Sequence, residues 1–297
     1  MNEQKSIEVA RGWKVPASNL SGSGFIRVET RPSIVIITYN SAQDIDACLS
    51  ACTSSDLELS PEIIVVDNAS GDNTCAIVAR HPGVQLIRND TNRGFAAAVN
   101  HGIASSSCDY VLVLNPDVVV TREAVLALME TLEMREEYAA VGCSLVYPNG
   151  RLQLSARPFP TVTTFLKRAL LTNNLVTRLY RSRQFDEQWS IAPDDSSPVK
   201  VVDYIIGGCM MIRRSAYTAI GPLDEKYFLY YEDTDWCYRA HLKGWKIGYL
   251  PRPSLIHDYK RSSSKVSFTN PLTWVHLTSA CRFFWKVAGA RGLKAII

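Results

Sequence analysis

The chain has 297 residues, of which 46% are hydrophobic, so it can bury the core of one large domain or of two small ones. Its formal net charge is +3, but seven of the 32 Lys and Arg residues follow Asp258, whereas all 29 Asp and Glu residues lie at or before it. The body is therefore slightly acidic, which argues against a nucleic-acid-binding protein. The basic end predicts a surface for anionic partners.

The eight cysteines form neither a legible zinc pattern nor a disulfide framework. Cys48 and Cys52 are four residues apart, but no second Cys or His pair follows at the spacing of a metal site. Free thiols in a reducing cytosol are therefore expected. No apolar run approaches the roughly 18 residues of a spanning helix and no signal peptide is visible, so we expect a cytoplasmic protein.

Short apolar runs and helical segments alternate from Ser33 onwards, after a predicted extension over residues 1–30 that is rich in Ser and Gly around residues 20–24. The expected strands are Ile34–Ile37, Ile63–Val66, Val84–Ile87 and Val111–Leu114, and the expected helices are Asp44–Cys52, Thr74–Arg80 and Phe95–Ala104. This βαβα pattern predicts an α/β fold with a doubly wound sheet.

Polar segments follow these strands, at the sheet edge where α/β proteins bind ligands. The segments are Thr38–Asn40, Asp67–Asp72, Asn92–Phe95 and Asn115–Asp117. Each of them alone is explained by a helix cap or a turn. Four such segments at one edge favour a binding site.

Asp67 and Asp117 carry the chemistry of these segments. Asp67 and the neighbouring Asn68 suit hydrogen bonds to a base or ribose. Asp117, held at a strand end by Pro116, can bind a divalent ion that also neutralises a diphosphate. His257 could be a second ligand, although a lone histidine is more often structural. Neither Gly-x-Gly-x-x-Gly nor Gly-x-x-x-x-Gly-Lys occurs, which argues against dinucleotide cofactors and P-loop chemistry.

The run Tyr227–Arg239 places the carboxylates of Glu232, Asp233 and Asp235 among aromatic residues. Burial beside aromatic rings raises the pKa of a carboxyl group, so the run is a candidate for a general base. The alternative is the first turn of an amphipathic helix, where acidic residues favour the helix dipole. On these residues alone, both interpretations stay open.

Five segments together resemble the family-2 inverting glycosyltransferases, and within that family the bacterial rhamnosyltransferases. They stand in the family's order and span about residues 32–260. The segments are Ile34–Asn40, Val65–Asp72, Asn92–Gly102, Leu114–Asp117 and Tyr231–Cys237. The resemblance implies a GT-A fold, which is a mixed α/β sheet flanked by helices. It also implies a nucleotide-diphosphate sugar as donor and Mg²⁺ or Mn²⁺ as cofactor.

The resemblance also divides the chain. An N-terminal extension (1–30) precedes a nucleotide-sugar-binding half (31–118), an acceptor-binding and catalytic half (119–262) and a basic amphipathic helical tail (263–297). The implied donor contacts are Thr38, Asn40, Asp67, Asn68, Asn92, Arg93 and Asn115. Asp117 takes the place of the metal-binding aspartate in the family's Asp-x-Asp motif, whereas Asn115 stands where many members have the first aspartate. His257 matches a metal-binding histidine of related galactofuranosyltransferases, which favours it as a ligand.

On the acceptor side, the resemblance implies direct displacement with inversion, and Asp233 as the general base. Expected acceptor contacts are hydrogen bonds from sugar hydroxyls to Glu232 and Asp235, and stacking on Tyr231 and Trp236. Gly207 and Gly208 match paired glycines that pass close to both substrates, although a turn or bulge explains them equally well.

The favoured donor is dTDP-rhamnose, and the expected acceptor is a hydroxyl of a lipid-linked or growing cell-surface glycan. This predicts a role in polysaccharide biosynthesis at the cell envelope. The alternatives are a UDP-sugar-dependent transferase of the same fold and a non-catalytic sugar-nucleotide-binding protein. A nucleotidyltransferase is less well supported, because its Gly-rich basic signature is missing near the first strand.

The C-terminal tail predicts a helix from about Pro271 with an apolar stripe. The stripe consists of Trp274, Leu277, Cys281, Phe284, Trp285 and Ala288. Three roles stay open for it, namely peripheral attachment to the inner face of the cytoplasmic membrane, packing on the catalytic domain, and contact with a second copy in a homo-oligomer.

Overall fold

A mixed β-sheet organises the part of the chain that the computed structural model describes, which is residues 6–9, 13–16, 31–153, 155–165, 199–258 and 270–291. Ahead of this sheet, β1 (Ser6–Val9) and β2 (Trp13–Pro16) pair as an antiparallel hairpin. Part of the predicted extension therefore has regular structure. The rest of residues 1–30 lies outside the described residues.

The first half of the sheet is parallel and alternates with helices, as the sequence predicts. Its elements are β3 (Ser33–Thr38), α1 (Ile45–Thr53), β4 (Glu62–Asp67), α2 (Thr74–Val78), β5 (Val84–Arg88), α3 (Phe95–Ser105) and β6 (Tyr110–Leu114). The predicted strands and helices of this half are confirmed, with ends that differ by at most two residues. Only β5 departs from the prediction of buried strands, because it lies at the sheet edge and is partly exposed.

The second half adds antiparallel strands, which make the sheet mixed. Its elements are β7 (Val118–Val119), α4 (Arg122–Met134), β8 (Tyr138–Val146), β9 (Leu152–Gln153), β10 (Ala156–Arg157), β11 (Lys200–Val202), β12 (Tyr204–Ile205), β13 (Cys209–Arg213), α5 (Arg214–Ile220), α6 (Glu232–Leu242), β14 (Lys246–His257) and α7 (Pro271–Arg291). Across the sheet the order is β11-β14-β8-β13-β6-β3-β4-β5. Strand β13 runs antiparallel to both of its neighbours, β6 and β8.

Both faces of the sheet are buried. Successive side chains of a strand point to opposite faces, so each strand contributes to two apolar clusters. In β3, Ile34 and Ile36 join one apolar cluster, and Val35 and Ile37 join the other. Helices α1 and α4 cover the first face, whereas α3, α5 and α6 cover the second. Each fully buried aliphatic side chain contributes about 1.5–3 kcal/mol, so the sheet holds its strand ends rigidly.

The C-terminal helix α7 packs outside α6 through one of its faces. Its buried apolar residues are Ala280, Phe283, Phe284 and Val287, which meet Tyr227 and Tyr238 in a third apolar cluster. Of the stripe predicted for this helix, only Phe284 is buried, whereas Trp274, Cys281 and Trp285 are exposed. The prediction merged two faces, since residues three and four apart recur on both. Packing against the preceding part of the chain is therefore observed for the inner face. No helix among the described residues is long and apolar enough to cross a membrane.

Candidate active site

Asp67 ties together the loops that follow the first two parallel strands. Its carboxylate is 1% exposed and accepts hydrogen bonds from Thr38 Oγ1 (2.9 Å) and from Ser70 N (2.9 Å). The Ser70 hydroxyl in turn accepts from Asn40 N at 2.8 Å, and the Asn40 side chain accepts from Gly71 N at 2.8 Å. Thr38 and Asp67 therefore support the loops from within, while the exposed Asn40 faces the space that the sequence assigns to the donor.

Asn68 and Asn92 shape the start of α3. The side chain of Asn68 donates to the Gly94 carbonyl oxygen at 3.0 Å, and the Asn92 side chain accepts from Gly94 N at 3.0 Å. Gly94 has a φ of 86°, and a Cβ on it would lie 2.5 Å from the carbonyl oxygen of Phe228. Both asparagines therefore act on the backbone. Arg93 is exposed, and its guanidinium lies 3.5 Å from the Glu225 carboxylate.

Gly207 and Gly208 lie near Asp233, Asn115 and His257. A Cβ on Gly207 would be 3.7 Å from the Cβ of Asp233, and a Cβ on Gly208 would be 3.1 Å from Asn115 Nδ2 and 3.6 Å from His257 Cε1. The Gly208 carbonyl oxygen accepts from Asn115 N at 3.0 Å. The structure thus brings predicted residues from three separate segments to one dipeptide that carries no side chains.

Asp117 and His257 meet because β7 pairs with the end of β14, where His257 stands opposite Val118. Asp117 Oδ1 and His257 Nε2 lie 3.1 Å apart, and both atoms are buried. On the other side of the ring, Nδ1 lies 2.8 Å from Gln153 Oε1. Gln153 Nε2 donates to the His257 carbonyl oxygen at 2.7 Å, which orients the amide so that its oxygen faces Nδ1.

The chemistry of this pair fits a divalent cation. With Gln153 Oε1 facing Nδ1, the Nε2 atom of His257 faces the Asp117 carboxylate, and an Nε2 without a proton presents its lone pair there. A carboxylate and such a lone pair can share one cation, and a histidine held by a hydrogen bond on its other nitrogen is a common metal ligand. The described residues contain no group of three or more metal-binding side chains, so the pair would furnish two protein ligands.

Asp233 stands in the first turn of α6 and remains partly accessible. Its Oδ2 accepts from Gly207 N at 2.8 Å, and its Oδ1 accepts from Thr234 N at 2.6 Å. Burial raises the pKa of Asp233, and these hydrogen bonds and the charge of Arg157 oppose that rise without cancelling it. An accessible carboxylate with a raised pKa suits a general base.

Glu232, its neighbour, is deeply buried. Its side chain is 5% exposed, and its Oε2 has no hydrogen-bond partner among the described residues. Burial first, and the charge of Asp233 second, raise the pKa of Glu232 well above its usual range. The two carboxyl groups interact and titrate as a pair, in which Glu232 favours the protonated form.

Asp235 and Trp236 do not take the places that the sequence predicts for them. Asp235 is 1% exposed and is bound by Lys286 (2.8 Å) and Arg239 (2.9 Å), so its carboxylate faces α7. Trp236 is 0% exposed and donates to the Gly221 carbonyl oxygen at 3.0 Å, so it is a core residue without a face for a sugar. Tyr231 is half-buried and packs its ring against Phe283 and Phe284 of α7.

Two residues at this site have no signal in the sequence. They are Gln153, which orients His257, and Arg157, whose charge acts on Asp233. Each comes from a different element. A sequence pattern places residues within one element, so it could not show that these side chains converge.

Comparison with known proteins yields a family match. The model of the family described as "Glycosyl transferase family 2" matches residues 33–221, from the start of β3 to the end of α5. Helices α6 and α7 lie beyond this match.

Two curated relatives are rhamnosyltransferases. The N-acetylglucosaminyl-diphospho-decaprenol L-rhamnosyltransferase of Mycobacterium tuberculosis is 29% identical over 248 residues, which cover 78% of this chain and 77% of the relative. The rhamnosyltransferase WbbL of Escherichia coli K12 is 25% identical over 257 residues, which cover 84% and 91%.

Among solved structures, GalNAc-T7 with UDP, GalNAc and Mn²⁺ is similar, with a TM-score of 0.61 and 13% identity. The match covers 89% of this chain and 51% of that one, so this chain spans about half the length of that protein. At this identity the likeness concerns the fold.

Proposed function

Because the chain belongs to glycosyl transferase family 2, we propose that it moves L-rhamnose from dTDP-rhamnose to a hydroxyl of a lipid-linked or growing cell-surface glycan, with inversion. The GT-A fold, the enzyme class and the resemblance to rhamnosyltransferases were predicted from the sequence and are confirmed. The donor, the cation and the mechanism belong to the proposal.

The observation that carries the proposal is the position of Gly207 and Gly208. Asp233 lies beside Gly207, and Asn115 and His257 lie beside Gly208. A sugar resting on the dipeptide would have its anomeric carbon near Asp233 and its diphosphate near Asp117 and His257. A direct displacement requires a base and a site for the leaving group within reach of the same sugar.

In the proposed reaction, Asp233 takes the proton of the acceptor hydroxyl while that oxygen forms a bond to the anomeric carbon. The bond between the anomeric carbon and the diphosphate oxygen breaks in the same step, and nucleoside diphosphate leaves. A positioned base contributes typically 10²–10⁴-fold to such a proton transfer. The hydrogen bond from Gly207 N fixes the orientation of Asp233 Oδ2.

Asp117 and His257 would hold a divalent cation, Mg²⁺ or Mn²⁺, and Gln153 would fix the histidine ring for that role. A bound divalent cation would stabilise the negative charge of the departing diphosphate. The exposed guanidinium of Arg93 is placed to contribute positive charge on the donor side.

The acceptor is proposed to be lipid-linked, since the mycobacterial relative is named for a decaprenol-linked substrate. The outer face of α7 then has a role as a peripheral membrane contact. Trp274 and Trp285 are 51% and 79% exposed, and the sequence after Asp258 has seven basic residues and no acidic one. Tryptophan with basic residues is the composition that favours the headgroup region of a bilayer.

A donor panel tests this function. Purified protein is incubated with thymidine, uridine and guanosine diphosphate sugars, each with Mg²⁺ or Mn²⁺, and unfolding temperature and sugar release are both measured. We expect the largest thermal shift and the fastest release with dTDP-rhamnose. Stronger thermal protection by a UDP sugar than by dTDP-rhamnose would identify a UDP sugar as the donor instead. Absence of a shift with every nucleotide sugar would overturn the proposal. Binding without release or transfer to any acceptor would favour a non-catalytic protein.

A further inference from the structure

One basic side chain of the C-terminal helix α7 contacts the first turn of α6. Lys286 Nζ lies 2.8 Å from Asp235 Oδ1 and 2.6 Å from Asp224 Oδ2, and 5.2 Å from the centre of the Tyr227 ring. Asp235 Oδ2 is held by Arg239 Nε at 2.9 Å, and the Tyr227 hydroxyl donates to Oδ1 at 3.3 Å. The charges of Lys286 and Arg239 thus balance those of Asp224 and Asp235, and Asp235 is 1% exposed.

The first turn of α6, which carries Asp233, needs such support. The residues before it, Tyr230 and Tyr231, both have left-handed backbones with φ of 69° and 70°, a conformation that is unfavourable for non-glycine residues. Tyr231 is the N-cap residue and its side chain makes no capping hydrogen bond. Inside the turn, Glu232 and Asp233 are neighbouring carboxyl groups with raised pKa values.

Contacts from outside the turn therefore hold it. Ser279 of α7 donates to the Leu229 carbonyl oxygen at 2.9 Å, just ahead of the strained tyrosines. Lys286 binds Asp235, one helical step beyond Thr234, whose N–H bonds Asp233. On the opposite side, Gly207 N bonds the catalytic carboxylate itself. The two contacts from α7 thus bracket the turn along the chain.

We propose that Lys286 is a positioning residue for the transfer reaction, which holds Asp233 against Gly207 by binding Asp235. This inference rests on the proposed function of Asp233 as the base. Loss of the Lys286 charge leaves Asp235 buried with Arg239 as its one remaining basic partner among the described contacts, and a buried carboxylate with too little compensation moves towards water. Movement of Asp235 turns the helix start and takes Asp233 out of line.

The test compares Lys286→Met and Lys286→Arg with the unchanged chain. Arg282→Met is the matched control, because Arg282 lies four residues earlier on α7, is exposed, and approaches the Tyr227 ring without a carboxylate partner among the described contacts. Steady-state kinetics with dTDP-rhamnose and a detergent-solubilised acceptor give kcat and the donor KM. We expect Lys286→Met to lower kcat at least about tenfold with the donor KM within about twofold, Lys286→Arg to recover kcat to within about threefold, and Arg282→Met to leave both unchanged.

Three outcomes overturn the inference. They are a normal kcat in Lys286→Met, an equal loss in Arg282→Met, and a loss that Lys286→Arg does not restore. If Lys286→Met does not fold, Lys286→Gln removes the charge but keeps a polar end that can donate a hydrogen bond, and failure of both to fold would assign Lys286 to folding instead. Asp233→Asn is assayed alongside. If that variant turns over normally, the proposed function fails, whereas an inactive Asp233→Asn with a normal Lys286→Met removes only the positioning role.

Discussion

Two neighbouring carboxyl groups in the first turn of α6 differ in their access to solvent. Asp233 is partly accessible and accepts hydrogen bonds from Gly207 and Thr234. Glu232 is 5% exposed and its Oε2 lacks a partner among the described residues. A base must reach its substrate, so Asp233 is the better candidate, whereas the buried Glu232 favours the protonated form.

We predict that Asp233→Asn lowers kcat by about 10²–10⁴-fold and leaves donor binding intact, because an amide keeps the shape but cannot take a proton. Turnover and the thermal shift given by the donor measure the two effects separately. Glu133→Gln is the control, since it removes an exposed carboxylate from α4. Near-normal turnover in Asp233→Asn would exclude Asp233 as the base.

Glu232→Gln should stabilise the fold, and more so as pH rises. The folded pKa of Glu232 is raised above its unfolded value, so its favourable contribution is complete below the unfolded pKa and is lost as pH rises through the folded pKa. Glutamine removes that loss. We expect little difference near pH 4 and a higher Tm at pH 8, by roughly 2–4 °C for each kcal/mol regained. A gain that does not change with pH would contradict this account.

The pair Asp117 and His257 predicts a measurable cation affinity. We expect His257→Gln to weaken Mn²⁺ binding at least about tenfold, measured by calorimetry in the presence of dTDP. His81→Gln is a matched control, because His81 Nε2 lies 3.0 Å from Asp46 Oδ1 in a similar pair whose aspartate is 66% exposed. Equal Mn²⁺ affinity in the unchanged chain and in His257→Gln would remove the histidine from the ligand set.

At the scale of elements, the start of α3 is locked to the loop before α6. Phe95 N donates to the Phe228 carbonyl oxygen at 2.8 Å, and a Cβ on Gly94 would come within 2.5 Å of that oxygen. Helix α3 and the loop before α6 therefore share one contact. A change at Gly94 should be felt on both sides of the site.

We predict that Gly94→Ala costs more than about 2 kcal/mol, because it adds this collision to the strain of φ 86°. Gly83→Ala is the control, since Gly83 has a φ of 81° and nothing within 4 Å of an added Cβ. Denaturant unfolding of both variants measures how much more unfolding free energy Gly94→Ala loses than Gly83→Ala. Similar costs in the two variants would show that the contact with Phe228 adds little.

At the scale of the whole molecule, local patterns were sufficient to predict the α/β fold and the approach of the polar segments at one sheet edge. Parallel strands end at one edge, so the segments around Asp67 and Asp117 had to approach each other. Contacts distant in sequence could not be predicted. Lys286 stands 51 residues from Asp235, and Gln153 stands 104 residues from His257. Hydrophobic periodicity shows that a helix buries a face, but not which of two apolar faces meets a partner.

The inner face of α7 already packs against Tyr227 and Tyr238, so a further partner would contact the outer face. Its outer face carries Trp274 and Trp285, and the sequence after Asp258 has seven basic residues and no acidic one. We expect Trp274→Ser with Trp285→Ser to weaken binding to vesicles that contain anionic lipid at least about tenfold, or about 1.4 kcal/mol.

The binding that remains in this double variant should fall as salt is raised, because basic side chains alone would hold the chain to the lipid headgroups. Met134→Ser, which changes an apolar residue on α4 that is 63% exposed, should bind vesicles like the unchanged chain. Unchanged vesicle binding in the double variant, together with a smaller species in sedimentation, would instead mean that the two tryptophans contact a second copy. A membrane contact at this face would bring a lipid-linked acceptor to the same helix that holds Asp235 and the start of α6.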